Sequence, residues 1–115
     1  MKSYQKGDVV DVDLGLPPVP IKGHEQAKER PCIIVKPFNN LVLTVILPIT
    51  SSPPPKHLYT FVHLPKGVGG LSKESYVLCH QIRTVSTDRI TRKRGALDTK
   101  DLHKIQSVLV DTLEL

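Results

Sequence analysis

Apolar and acidic residues alternate through Asp8-Val9-Val10-Asp11-Val12-Asp13-Leu14, a period of two that predicts a half-buried strand. Pro17, Pro18 and Pro20 break this pattern and open a long loop reaching Glu29. Loops above ~12–15 residues in a small domain are often lids or binding loops. Cys32 to Lys36 is the second predicted strand, with turn residues at Phe38-Asn39-Asn40. Leu41 to Ile49 follows, apolar on both faces and so central, with Pro48 marking a bulge or a strand exit. Ser51-Ser52-Pro53-Pro54-Pro55-Lys56 cannot continue a sheet and predicts an extended second loop.

Alternation returns from Tyr59 to Leu64, a fourth strand closed by Gly67, Gly69 and Gly70. Tyr76 to Cys79 and Ile82 to Val85 predict one bent strand or two short ones, and Ile90 to Ala96 reads as a strand edge or a turn. The last segment is a helix. Asp98 can cap it, Asp101 falls at its third position, and Leu97 can staple onto Leu102. Leu102, Ile105, Leu109 and Leu113 then make one apolar stripe at helical spacing. Strands first and one helix last predict a mainly β domain: a small, strongly bent antiparallel sheet or barrel with the helix packed on it. No repeat or boundary divides it, so residues 1–115 read as a single domain.

With 4% aromatic residues and no Trp, the core must rest on Val, Ile and Leu. No apolar run of ~18 residues exists to form a transmembrane helix, and the first residues lack the apolar middle of a secretory signal. The expectation is a cytoplasmic protein with no membrane partner. Cys32 and Cys79 fall inside apolar runs and read as buried free thiols. No CxxC, HExxH or clustered His/Cys pattern suggests zinc, and the acids are scattered, so the expected chemistry needs no metal and no cofactor.

The formal charge of +5 is uneven. Between Arg30 and Leu97 stand ten Lys or Arg against only Glu74 and Asp88, while both ends are slightly acidic. That concentration suits a polyanion such as nucleic acid; a solvated basic face is the competing reading. Within this stretch, Arg30 stands at the start of one apolar run and Thr50 ends the next one. If the two strands pair antiparallel, guanidinium and hydroxyl lie side by side. Arginine brings a permanent charge and a rigid fork of donors, which suits a phosphate.

Gly7-Asp8-Val9-Val10, Gly23-His24-Glu25-Gln26, Arg30-Pro31-Cys32-Ile33-Ile34-Val35, Pro48-Ile49-Thr50-Ser51 and Gln81-Ile82-Arg83-Thr84-Val85 with Asp88-Arg89 together resemble the MazF/PemK toxins of type II toxin–antitoxin systems. The match runs in order along essentially the whole chain. The resemblance implies an SH3-like barrel with a C-terminal helix, usually a homodimer. It implies a metal-independent, sequence-specific endoribonuclease (an mRNA interferase) acting on single-stranded RNA. It also implies a cognate antitoxin whose tail fills the RNA groove, with operator DNA bound only through that complex.

Metal-free RNA cleavage uses the ribose 2′-hydroxyl as nucleophile and needs proton transfer and positive charge at the phosphorane. Arg30 matches the family's catalytic arginine and Thr50 its strand-end threonine. For either residue alone, an ordinary strand-end role is the commoner case; within the motif the functional role prevails. At the position of His80 one branch of the family has an aspartate assigned as base, and two residues earlier an arginine assigned as acid. This chain has His80 and Leu78, so that pair is absent. His24 or His80 is then the candidate proton carrier, against a plain hydrogen-bonding role for both. Gln81 and Arg83, with Gln26, Lys28 and Ser51, are candidate RNA contacts. Glu25 shares that motif but more naturally pins a loop. Arg92-Lys93-Arg94 either steers phosphate or is a screened surface patch. Two further readings remain open: a non-catalytic toxin of the same fold that binds DNA gyrase, as CcdB does, and an SH3-like RNA-binding module without catalysis.

Overall fold

The computed structural model describes residues 3–15 and 28–115. Among the described residues seven strands come first: β1 (Asp8–Asp13), β2 (Glu29–Phe38), β3 (Leu43–Thr50), β4 (Phe61–Leu64), β5 (Ser75–Leu78), β6 (Arg83–Ser86) and β7 (Ile90–Ala96). Helix α1 (Thr99–Leu113) follows them. The strands form one antiparallel sheet in the order β4-β5-β3-β2-β1-β7, with β6 also paired to β3. The mainly β architecture with a terminal helix is therefore as the alternation and the helical stripe predict.

β3 is the hub. Its first part pairs with β2 on one side and β6 on the other, and its last two residues pair with β5. It is apolar on both faces because each is buried, Leu47 and Ile49 in one apolar cluster and Ile46 in another. Pro48 sits where β3 changes partner: the β2 ladder ends at Cys32–Pro48 and the β5 ladder starts at Ile49–Val77. β3 begins at Leu43 rather than Leu41, because Asn39–Leu41 form a 3-10 turn and Val42 takes a left-handed φ of 54°. The segment read as one bent strand or two short ones is two, β5 and β6, parted by the 3-10 turn Cys79–Gln81. Ile90–Ala96 resolves as a strand at the sheet's end.

One expectation is corrected. β1 is not half-buried with its acids in water: Asp8 and Asp11 are each only 3% exposed. β1 lies between β2 and β7, so its acids are enclosed and must be paired. Lys93 Nζ lies 3.3 Å from Asp8, which also accepts the Gln5 amide at 2.9 Å. Arg92 Nε donates to Asp11 at 3.1 Å and Arg94 Nε at 2.7 Å. The Arg92-Lys93-Arg94 run thus makes cross-strand ion pairs, an arrangement not read from the sequence, while the Arg92 and Lys93 side chains stay 63% and 51% exposed.

Apolar side chains on the two faces of the sheet form two clusters. Val9, Ile33, Leu47, Ile49, Val62, Leu64 and Val77 face α1, which inserts Ile105 among them. Cys32, Ile34 and Ile46 point the other way and meet Tyr4, Val10, Val12, Val85 and Ile90. Both thiols are free and buried, one in each cluster. Burial pushes Cys32 up to about 12, moderated by the nearby Arg83 cation, and Cys79 up to about 11. The helix starts as expected, with the Asp98 carboxylate accepting the Asp101 amide at 2.8 Å. Val108 and Leu109 pack on the sheet, but Leu113, at the far end of the predicted stripe, is 41% exposed.

The sheet curls until its two ends meet. The 3-10 turn Val68–Gly70 after β4 lies against β7. A Cβ on Gly70 would stand 2.4 Å from the Arg94 carbonyl oxygen, and one on Gly95 would stand 2.8 Å from that of Gly69. Only glycine lets two backbones come so close.

Candidate active site

The β2–β3 register fixes the central pair. Cys32 is opposite Pro48 and Ile34 opposite Ile46. Extended by two residues, the same register sets Arg30 against Thr50. Alternation puts Arg30, Cys32 and Ile34 on one face of β2 and Ile46, Pro48 and Thr50 on the matching face of β3. The ladder itself ends at Cys32–Pro48, so Arg30 and Thr50 stand one step past its last pair, on the same face at the mouth of the splay. Beyond Cys32–Pro48 the strands splay, since β2 continues along β1 while β3 continues along β5.

Local contacts hold both residues. The Cys32 thiol donates to the Arg30 carbonyl at 3.6 Å, tying the buried cluster to the Arg30 backbone. The Thr50 hydroxyl oxygen accepts the Ser52 amide at 3.1 Å, and its proton remains able to donate. Where the strands splay, a cleft of about 210 Å³ opens, lined by Arg30, Ser51, Lys73, Ser75 and Arg94 among others. Arg30, Lys73 and Arg94 all line it, with Arg94 also paired to Asp11, while Thr50 is not among its lining residues.

Arg83, on β6, is opposite Ile46 and so shares the face of Arg30 and Thr50. It is exposed, and near enough to Cys32 to favour its thiolate. His80 and Gln81 stand elsewhere, in the turn between β5 and β6 on the other edge of β3 from β2. His80 Nδ1 lies 2.7 Å from the Thr60 hydroxyl. Lys28 is exposed with φ 62°, and its amide donates to the Gly15 carbonyl at 2.7 Å. His24, Glu25 and Gln26 lie outside the described residues.

Lys73 and Ser75 in the cleft, and Tyr76 opposite Thr50, are neighbours that sequence reading missed, whereas Arg94 there belongs to the basic run it singled out. No local signal marks them, because the β3–β5 and β1–β7 pairings join segments far apart in the chain.

The family model described as "PemK-like, MazF-like toxin of type II toxin-antitoxin system" matches residues 5–113. "Endoribonuclease MazF" of Staphylococcus saprophyticus is 31% identical over 114 residues, covering 96% of this chain and 92% of that protein. Among solved structures, MazF (Form-I) from Deinococcus radiodurans shares the fold with a TM-score of 0.76 at 23% identity, over 100% of both chains. An endoribonuclease in complex with its cognate antitoxin, from Mycobacterial species, gives 0.74 at 22% identity over 98% of this chain and 97% of that one.

Proposed function

This chain belongs to the PemK-like, MazF-like family of type II toxin–antitoxin toxins, and from that premise we propose how it cuts RNA. It is an endoribonuclease, like its curated relative. In the reaction proposed, the ribose 2′-hydroxyl of single-stranded RNA attacks the adjacent phosphorus and the 5′-oxygen leaves. The products end in a 2′,3′-cyclic phosphate and a 5′-hydroxyl, and no metal takes part. Arg30 holds the non-bridging oxygens as negative charge builds, and the Thr50 O–H donates to one of them.

The observation that supports this most is the β2–β3 register, which gives Arg30 and Thr50 one face at the end where the strands part. For the proton, His24 is the residue to test first, since His80 stands across β3 and is bonded to Thr60. Arg83 and Ser51, flanking Arg30 and Thr50, are the nearest RNA contacts, with Gln81, Lys28, Gln26 and Glu25 further candidates. The gyrase-binding alternative is not favoured, because the relatives carry endoribonuclease names.

Residues 1–115 are taken as one such domain acting in the cytoplasm; among the described residues no helix is long and apolar enough to cross a membrane. The proposed partners are a cognate antitoxin, as in the similar complex, a second copy of the chain, and operator DNA through the antitoxin alone. Exposed Val110 and Leu113 on α1 with Leu115 just beyond it, and Phe38, Leu41 and Val42 near the β2–β3 turn, offer apolar surface for the protein partners.

The test is incubation with a long transcript in excess EDTA. Cyclic-phosphate ends at a short recurring sequence are expected. Arg30→Lys should lose roughly 100-fold or more in rate, and Thr50→Val a smaller but clear part. An Arg30→Lys protein cutting at the wild-type rate refutes the assignment.

A further inference from the structure

Past Thr50, the same face of the sheet carries a row of rings. Thr50 is opposite Tyr76 on β5, and Tyr76 is opposite His63 on β4. Alternation fixes their direction: Ile49, Val77, Val62 and Leu64 point into the cluster beneath α1, so Thr50, Tyr76, Phe61 and His63 point away from it. Tyr76 is neighboured on both sides. Phe61 meets it edge-on with ring centroids 6.0 Å apart, and the His63 ring lies at 5.3 Å. His63 is in turn paired with Glu74. Tyr76 and Phe61 are half-buried, the His63 side chain is 42% exposed, and neither aromatic cluster member belongs to either core.

We infer that Tyr76, supported by Phe61 and His63, is a nucleobase-stacking subsite for a nucleotide next to the scissile phosphate. The inference rests on the Arg30–Thr50 reading for where that phosphate lies. Arg30, Thr50, Tyr76 and His63 occupy four successive strands, β2, β3, β5 and β4. Neighbouring strands are about 4.8 Å apart, so Tyr76 lies one strand from Thr50 and two from Arg30. A base is separated from its phosphate by one sugar, a span of the same order. A ring set in a sheet face and braced by its neighbours presents its surface without losing side-chain freedom on binding, which is how sheet-borne aromatics commonly take single-stranded RNA bases. The role is one of positioning and base preference; Tyr76 is not proposed to touch the reacting atoms.

The experiment uses the full chain and a short RNA containing one mapped cleavage site. Binding is read with a 2′-deoxy substitution at the scissile nucleotide, which removes the nucleophile. Cleavage is read on the all-ribose RNA, and both are repeated with an abasic nucleotide on either side of the bond. Tyr76→Leu should weaken binding by roughly 10- to 100-fold, the range expected for one lost base–aromatic stack. Tyr76→Phe should restore it, since the ring and not the hydroxyl is used. On one of the abasic RNAs wild type and Tyr76→Leu should bind alike, because the stack is already gone. Equal binding by wild type and Tyr76→Leu on the intact RNA overturns the inference. So does a loss that persists unchanged on both abasic RNAs, or one that appears only in self-association or antitoxin binding. Arg30→Lys separates the two ideas: it must abolish cleavage for the active-site reading, while the Tyr76 effect is read in binding alone.

Discussion

Closure of the sheet rests on glycines that differ in what a methyl group would meet, and a three-variant series separates the causes. Gly67 has φ +95° with nothing within 4 Å of a built Cβ, so Gly67→Ala carries backbone strain alone. That strain costs about 1–2 kcal/mol. Gly95 is not among the positive-φ glycines, but its Cβ would lie 2.8 Å from the Gly69 oxygen and 2.9 Å from the Gly69 carbonyl carbon. Alanine there restricts the unfolded chain, a gain of about 0.4–1 kcal/mol, while forced backbone movement costs about 1–3 kcal/mol. The net is a loss of about 0–2.6 kcal/mol on these terms. Gly70 combines φ +77° with a 2.4 Å approach to the Arg94 oxygen, so its substitution sums both penalties, to about 2–5 kcal/mol. Urea unfolding followed by circular dichroism gives the ranking, provided the denaturant slope is constant across the set. The expected order of loss is Gly70→Ala greatest, with Gly67→Ala and Gly95→Ala smaller and similar. If Gly95→Ala is more stable than wild type, the contact between β7 and the turn is not as tight as described and the closure argument fails. Because the turn leads directly into Leu71, Ser72 and Lys73 of the cleft, Gly70→Ala should also lower RNA cleavage in the fraction that remains folded.

Charge, thiols and the helix cap give three more expectations. Arg92→Ala with Arg94→Ala leaves Asp11 buried without its cations and should cost about 3–5 kcal/mol; a double variant as stable as wild type, changed only in the salt dependence of RNA binding, would favour the steering role. Cys32 and Cys79, raised to about 12 and about 11 by burial, should resist alkylation at pH 8 until the protein is unfolded. Their folded pKa values exceed the ordinary 9.0, so their share of stability is complete below pH 9 and is lost as pH rises through 11 and 12. A Cys32→Ala, Cys79→Ala protein should therefore lose less stability between pH 9 and pH 11 than wild type, and an identical alkaline decline in both would contradict it. Asp98→Ala removes the acceptor of the Asp101 amide and should cost about 1 kcal/mol, measured as a lower urea midpoint.

What the chain states locally, it states well. Period-two alternation found β1 and β4, the apolar runs found β2 and β3, and the 3.6-residue stripe with an aspartate before it found α1. These signals are local because a strand or helix face must be apolar wherever it is buried, whatever covers it. Arg30 and Thr50 were legible for the same reason: they bound two consecutive apolar runs, and consecutive strands usually pair. The charge run at Arg92–Arg94 was visible but its partners were not, since counting cations says nothing of which acids sit across a ladder. Asp8 and Asp11 lie over 80 residues earlier in the chain from their partners.

The sequence by itself thus determined the element types and the two buried thiols, and it supplied the pair of residues proposed here to hold phosphate. Tertiary structure alone decided which acids hold the basic run, that Tyr76 stands beside Thr50, and that glycines 70 and 95 close the sheet. Each of those depends on a pairing between distant strands, where register rather than composition chooses the neighbour. Local pattern tells a residue which way to face; only the folded sheet tells it what it faces.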